Sequence, residues 1–392
     1  MTRSRIDEMI CRQEGLTELT EETIKLVQLK KLNGLLCREQ MRCGFYSYLP
    51  ERLNCLDELR KLPFTTDEEL AHNAPGLLLT SQSQVQRVLS DATSGTSGAS
   101  KRVFYTLGDC ERTVGLFMAG LGELVFPGSV TMICMPFSGP YGLGELIAEA
   151  VRRLGARPLK LGTDRSYGEL SAVIEKERPD SFVGMPVQLL SILRYCGRGS
   201  LRRALVSADA CPESVMRCCE NILGSRLFPH YGSREMALGG AVCCPAHEGM
   251  HLRENHVIAE IIDSSGRVLP KGEFGELVIT TIGMDAMPLI RYRTGDCTRI
   301  LPEPCPCLSP VIRLDTVSRL DSRMMLPDDE LFSLPGLIDY SINEAGDLFA
   351  LTDGTVSKAD IKALASACSI TVKTACDSDK PLYFGKRRIL PV

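Results

Sequence analysis

Between about residues 100 and 231 the chain alternates short apolar runs with segments of helical periodicity, and this alternation restricts the fold more than any other feature. Residues 129–135 form an apolar run bounded by Gly128 and Pro136, which suits a buried strand. Leu146, Ile147, Ala150, Val151 and Leu154 then recur on one helical face. ARPLKL (156–161), SFVGM (181–185) and RALVSA (203–208) read as strands, and residues 168–178, 187–195 and 213–223 read as helices. Strand–helix alternation of this kind needs right-handed crossovers over a mostly parallel sheet, so the expected fold class is α/β.

The flanks differ from this centre. Residues 1–70 read as helical and polar, and they end in LPFTTDEEL, where Thr66 and Glu69 have the spacing of a capping box. Residues 71–92 read as loop and short strand. After Tyr231, VIAEIID (257–263) and GELVITT (275–281) flank the turn-rich SSGRVLPKGEF, and CTRIL follows at 297–301, which gives a β-rich subdomain. From about residue 322 a smaller α+β unit closes the chain. A length of 392 residues suits two or three such units.

A formal net charge of -4 argues against a nucleic-acid binder, which would display a concentrated basic face. The dense basic cluster Lys386, Arg387 and Arg388 is too short to replace one. Charges break the N-terminus throughout, and no apolar run approaches the length of a signal peptide or a membrane helix, so a cytoplasmic chain is expected. The 17 cysteines are odd in number and scattered, which argues against a disulfide framework and for small buried hydrophobes in a reducing compartment. Cys243-Cys244 and Cys305-Pro306-Cys307 cluster more pointedly.

The segment richest in chemistry is TSGTSGASK, from Thr93 through Ser94, Gly95, Thr96, Ser97 and Gly98 to Lys101. Two glycines let the backbone approach an anion, while hydroxyls and a lysine add donors and charge. The spacing is not that of a Walker A loop.

This string resembles the phosphate loop of the AMP-forming acyl-CoA ligase and adenylation superfamily, and LPFTTDEEL is similar to a segment upstream of that loop in its phenylacetate-CoA ligase branch. The resemblance runs from about residue 45 to the end of the chain, with several motifs in the same order. It implies a large N-terminal adenylate-forming domain, residues 1–320, with a β-rich subdomain at about 240–320. A small mobile α+β domain, residues 321–392, would follow. In Tyr231-Gly232-Ser233-Arg234-Glu235 the resemblance implies adenine stacking by Tyr231 and Mg2+ binding by Glu235 with Thr96. Arg234 stands where the family has a hydroxyl residue. Ala208 and Asp209 would form another adenine-contacting loop. In Arg291-Tyr292-Arg293-Thr294-Gly295-Asp296, Asp296 would accept hydrogen bonds from both ribose hydroxyls. Arg319 would contact ribose or phosphate, Asp321 would be the hinge, and Lys386 in PLYFGK would be the catalytic lysine bridging carboxylate and α-phosphate.

Phenylacetate-CoA ligases also suggest a closed structural Zn2+ set, here Cys244, His251, Cys305 and Cys307, with Cys243 or His247 as substitutes for Cys244. The implied reaction converts a carboxylic acid and ATP to acyl-AMP and pyrophosphate, then passes the acyl group to CoA. Phe137 and Tyr141 are candidate walls of an acyl pocket, with an aryl acid such as phenylacetate weakly favoured. The implied partners are the small-molecule acid and CoA, in a homodimer, without nucleic acid or membrane. A carrier protein or other acceptor in place of CoA, and a non-catalytic nucleotide- or zinc-binding relative, are the competing readings.

Overall fold

The computed structural model describes residues 4–91, 101–320, 327–343 and 345–382. The chain divides into two units, Met1–Gly120 with His230–Asp321, and Leu121–Pro229 with Ser322–Val392. Helices α1 (Arg5–Glu14) and α2 (Glu21–Arg42) begin the first unit, capped by the side chains of Ser4 and Thr20. Ile6, Met9, Ile10 and Ile24 bury their apolar faces against Leu116, Val242 and Val311. Helix α3 (Asp67–Asn73) starts at the Thr66–Glu69 capping box, with Thr66 accepting from the Glu69 amide and Glu69 accepting in return. Strands β1 (Val85–Asp91) and β2 (Lys101–Thr106) then pair antiparallel, Asp91 opposite Lys101. Helix α4 (Leu107–Leu121) follows directly.

The second unit holds the expected α/β centre: β3 (Val130–Cys134), α5 (Leu143–Arg153), β4 (Arg157–Lys160), α6 (Tyr167–Glu177), β5 (Ser181–Gly184), α7 (Pro186–Cys196), β6 (Arg203–Val206) and α8 (Glu213–Leu223). Within this centre the strands pair parallel, β4 on β3, β3 on β5 and β5 on β6, as alternation requires. In β7 (Phe228–Tyr231), Phe228 and Pro229 pair parallel with β6 in this unit. His230 and Tyr231 pair antiparallel with β8 (Ala241–Cys243) in the first.

Back in the first unit, β8 pairs with β9 (Met250–Leu252). An antiparallel sheet forms from β10 (Ile258–Ile262), β11 (Gly275–Thr280) and β12 (Tyr292–Thr298). Strand β13 (Arg313–Leu314) joins β9, and β14 (Ser318–Arg319) joins β12.

The chain ends in the second unit with α9 (Asp328–Leu331), β15 (Leu337–Ile342), β16 (Leu348–Thr352), α10 (Lys358–Leu364) and β17 (Ile370–Thr374). Leu331, Phe332, Leu337 and Tyr340 share one buried core with Leu189, Leu193, Val215 and Cys219 of α7 and α8. Ser191 Oγ and the Arg194 guanidinium add hydrogen bonds to the carbonyls of Ile338 and Phe332. Among the described residues no helix is long and apolar enough to cross a membrane.

Candidate nucleotide and metal sites

Strand β12 owes its shape to the Thr-Gly-Asp string. Gly295 has φ +67°, a left-handed conformation that suits glycine. Opposite it the register shifts between Glu276 and Val278, a bulge that re-aims the following side chain. Thr294 Oγ1 donates to the Leu277 carbonyl and accepts from the Asp296 amide, which fixes the turn. Asp296 is thereby presented with its two carboxylate oxygens on different partners. Tyr231 OH donates to Oδ2 at 2.7 Å, and the Arg319 guanidinium donates to Oδ1 at 2.8 Å. Burial, with the Asp296 carboxylate beside it, raises the Tyr231 phenol far above its ordinary value, so it is a committed donor.

Gly232 is required by the backbone that passes over it, since a Cβ there would lie 2.5 Å from the Leu238 carbonyl oxygen. The turn is closed by hydrogen bonds from the Leu238 amide to Ser233 O and from the Gly240 amide to Tyr231 O. Arg253, almost wholly buried, donates to Met236 O and holds the turn from below. Glu235 sits half-buried in this turn, and Tyr105 OH donates to the Arg234 carbonyl at 2.7 Å. Burial, reinforced by Glu235, raises the phenols of Tyr105 and Tyr292. Ser233 Oγ is buried without a hydrogen-bond partner among the described residues.

The LPFTTDEEL segment is knitted to the Arg291–Asp296 string. Thr65 exchanges backbone hydrogen bonds with Arg291 O and the Arg293 amide, 3.0 Å each. Its hydroxyl donates to Ile290 O and meets Tyr46 OH. Phe64 lies over the Arg291 guanidinium, 4.1 Å to the ring centroid. Arg291 itself is buried in a two-armed ion pair with Glu260, at 2.9 and 3.1 Å. Asp67, the first residue of α3, accepts from Tyr292 OH and pairs with Lys101. Sequence reasoning missed Asp67, Tyr292 and Tyr105. For Asp67 the signal is its place inside LPFTTDEEL, where the capping-box spacing marks Thr66 and Glu69 but not the residue between them.

Four sequence-predicted metal ligands converge. The donor atoms of Cys244, His251, Cys305 and Cys307 all lie within 4.8 Å of one another. Cys244 Sγ is 3.6 Å from Cys305 Sγ, and Cys307 Sγ is 3.3 Å from His251 Nε2. Val311 O lies 3.2 Å from His251 Nδ1, which leaves Nε2 facing the thiols. Between the alternatives the geometry selects Cys244, because Cys243 Sγ contacts the Cys244 carbonyl and lies 3.9 Å from His247 Nδ1. A tetrahedral zinc with bonds of about 2.3 Å to sulfur needs donors about 3.8 Å apart, so the set fits the ion.

In the second unit Ala208 has φ 71° in the turn after β6, and Asp209 follows it. Phe137 packs on Gly144, where a Cβ would come within 2.8 Å of the ring, and Lys160 Nζ is 5.7 Å from the ring centre. Tyr141 has φ 61° and is half-buried. Thr93, Ser94, Gly95, Thr96, Ser97, Gly98, Asp321 and Lys386 lie outside the described residues.

By fold this is an α/β protein of the architecture seen in a solved CoA ligase. A solved 2-hydroxyisobutyryl-CoA ligase, in its postadenylation state in complex with R3-HIB-AMP, superposes with a TM-score of 0.77 at 14% identity, covering 95% of this chain and 90% of that one. The AMP-binding enzyme family matches residues 91–285. The chain is 31% identical over 274 residues to a phenylacetate-coenzyme A ligase of Pseudomonas putida, covering 66% of this chain and 60% of that enzyme. It is 28% identical over 350 residues to a phenylacetate-coenzyme A ligase of Thermus thermophilus, covering 80% and 74%. Residues 91–285 thus match the AMP-binding enzyme family, and the chain resembles the phenylacetate-CoA ligases.

Proposed function

We propose that this chain activates a carboxylic acid with ATP and transfers the acyl group to CoA. The observation that carries the reading is Asp296, whose carboxylate is held by Tyr231 and Arg319, so that three separate sequence motifs meet on one acceptor suited to a ribose diol. A carboxylate oxygen of the acid attacks the α-phosphorus of ATP, the bond from that phosphorus to the bridging oxygen breaks, and pyrophosphate leaves. In this reading Asp296 fixes the ribose and Tyr231 the adenine, and Ala208 and Asp209 form a further adenine-contacting loop. The 93–101 loop holds the leaving phosphates, Glu235 and Thr96 hold Mg2+, and Lys386 offsets charge on the α-phosphoryl oxygens. The thiol of CoA then attacks the acyl carbon and loses its proton to solvent, and AMP departs. An aryl acid is favoured, with Phe137 and Tyr141 as pocket walls.

Cys244, His251, Cys305 and Cys307 would bind a structural Zn2+ with no open position, a reading supported by their mutual distances. A cytoplasmic location, expected from the charge-broken N-terminus, belongs to the same proposal, as does a homodimer, which rests on the resemblance alone. So does a small domain beginning at Asp321. Because α9 and β15 share a core with α7 and α8, its rotation would have to open that core. Hydrogen exchange in β15 should therefore quicken when acyl-AMP is formed, and unchanged protection would remove the rotation from the proposal.

The test is pyrophosphate release from Mg-ATP with aryl, short-chain and medium-chain acids, each with and without CoA. Acid-dependent release that turns over repeatedly only with CoA is expected. Release indifferent to CoA would point to a carrier protein or another acceptor, and silence across the panel would reject the enzyme reading.

A further inference from the structure

Asp67 occupies a junction that none of the assigned roles explains. It is the first residue of α3, so its backbone is fixed by the Thr66–Glu69 capping box on one side and by the Thr65 hydrogen bonds to Arg291 and Arg293 on the other. Its two carboxylate oxygens are divided between two side chains. Oδ1 accepts from Tyr292 OH, and Oδ2 pairs with Lys101 Nζ. Tyr292 is buried and stands four residues before Asp296 on β12, while Lys101 ends the Ser/Gly/Thr-rich string and is the first residue of β2. One carboxylate thus joins the strand that carries the ribose-binding residue to the cation that ends the phosphate loop.

The asymmetry of exposure matters. The Lys101 side chain is 21% exposed and that of Asp67 is 51% exposed. An ammonium on a four-carbon stem has three donors and no intrinsic direction, unlike the fixed fork of an arginine. Asp67 takes one of these donors and orients the stem, leaving the others for an anion. We propose that Asp67 is a positioning residue for phosphate recognition, acting through Lys101. This rests on the adenylation reading and assigns it a residue that the motifs alone do not mark.

The test is equilibrium binding of Mg-ATP and of AMP to the wild type, D67A, D67E, K101A and the D67A/K101A double variant, with melting temperatures taken alongside. D67A should weaken Mg-ATP binding about tenfold and change AMP binding less than about twofold, because AMP lacks the β- and γ-phosphates. D67E should recover much of the loss. The double variant should bind Mg-ATP no more weakly than K101A, since Asp67 has nothing left to orient. Unchanged Mg-ATP binding in D67A, additive losses in the double variant, or equal losses for ATP and AMP with a lowered melting temperature would each overturn the inference while leaving the adenylation reading standing. A wild type that binds no Mg-ATP would overturn both.

Discussion

At the scale of single residues, the proposed chemistry would concentrate on Asp296. Its carboxylate offers two acceptors to two donors, Tyr231 OH and the Arg319 guanidinium. Asparagine would keep the shape but turn one acceptor into a donor facing a donor. D296N should therefore lower kcat/KM for ATP about 100-fold, equivalent to roughly 2–3 kcal/mol, with kinetics on the best acid as the measurement. The fold should tolerate the change, because the Arg319 side chain is 55% exposed and finds water. In the proposed reaction Lys386 would separate the two half-reactions. K386A should slow adenylation about 100-fold or more and slow thioester formation from supplied acyl-adenylate only a few-fold. Equal loss in both half-reactions would remove it from the catalytic role. The strings around Asp296 and Tyr231 stand out in the sequence because each is short and contiguous, whereas Cys244, His251, Cys305 and Cys307 are spread along the chain and stand out only through the family resemblance. Asp67 and Tyr292 do not stand out, because a pair separated by 225 positions becomes a pair only when two segments run side by side.

At the scale of elements, residues 62–67 and 290–293 behave as one piece. Arg291 is 3% exposed, and besides Glu260 it donates to the carbonyls of Arg60 and Leu62. Removing one partner of a buried pair strands the other charge, so E260A should cost about 3–5 kcal/mol in urea unfolding. A loss below about 1 kcal/mol would mean that the backbone carbonyls alone satisfy Arg291. The proposed zinc would tie His251 of β9 to the segment that holds Cys305 and Cys307. Purified protein should contain about one zinc per chain, C305S should lose it, and chelation should lower the melting temperature. The parallel strands and their helices were legible because their apolar periods are long. Strand β2 was not, since KRVFYT buries only Val103 and Tyr105 on its inner face. Two alternate positions are too short a pattern to set a strand apart from a loop.

At the scale of the whole molecule, the buried titratable groups around the first unit's core set how stability follows pH. Burial holds His230 down to about 3 and His256 well below its ordinary value. Each therefore adds stability above the ordinary histidine range that is lost as pH falls. Glu254 works in the opposite direction. Burial raises its carboxyl to about 7, partly offset by hydrogen bonds from the Ile312 amide and Gln28. Between about 4.5 and 7 the folded chain keeps a proton that the unfolded chain has released, so stability at this site declines as pH rises through that window. Glutamine mimics the protonated form at every pH. The histidines contribute equally to the wild type and to E254Q, so they cancel in the difference. E254Q should gain on the wild type by up to about 3 kcal/mol as pH goes from 4.5 to 7.5, and the gap should then stay level. Urea unfolding of both proteins across that range measures it, and parallel curves would mean that Glu254 is ionised in the folded chain throughout.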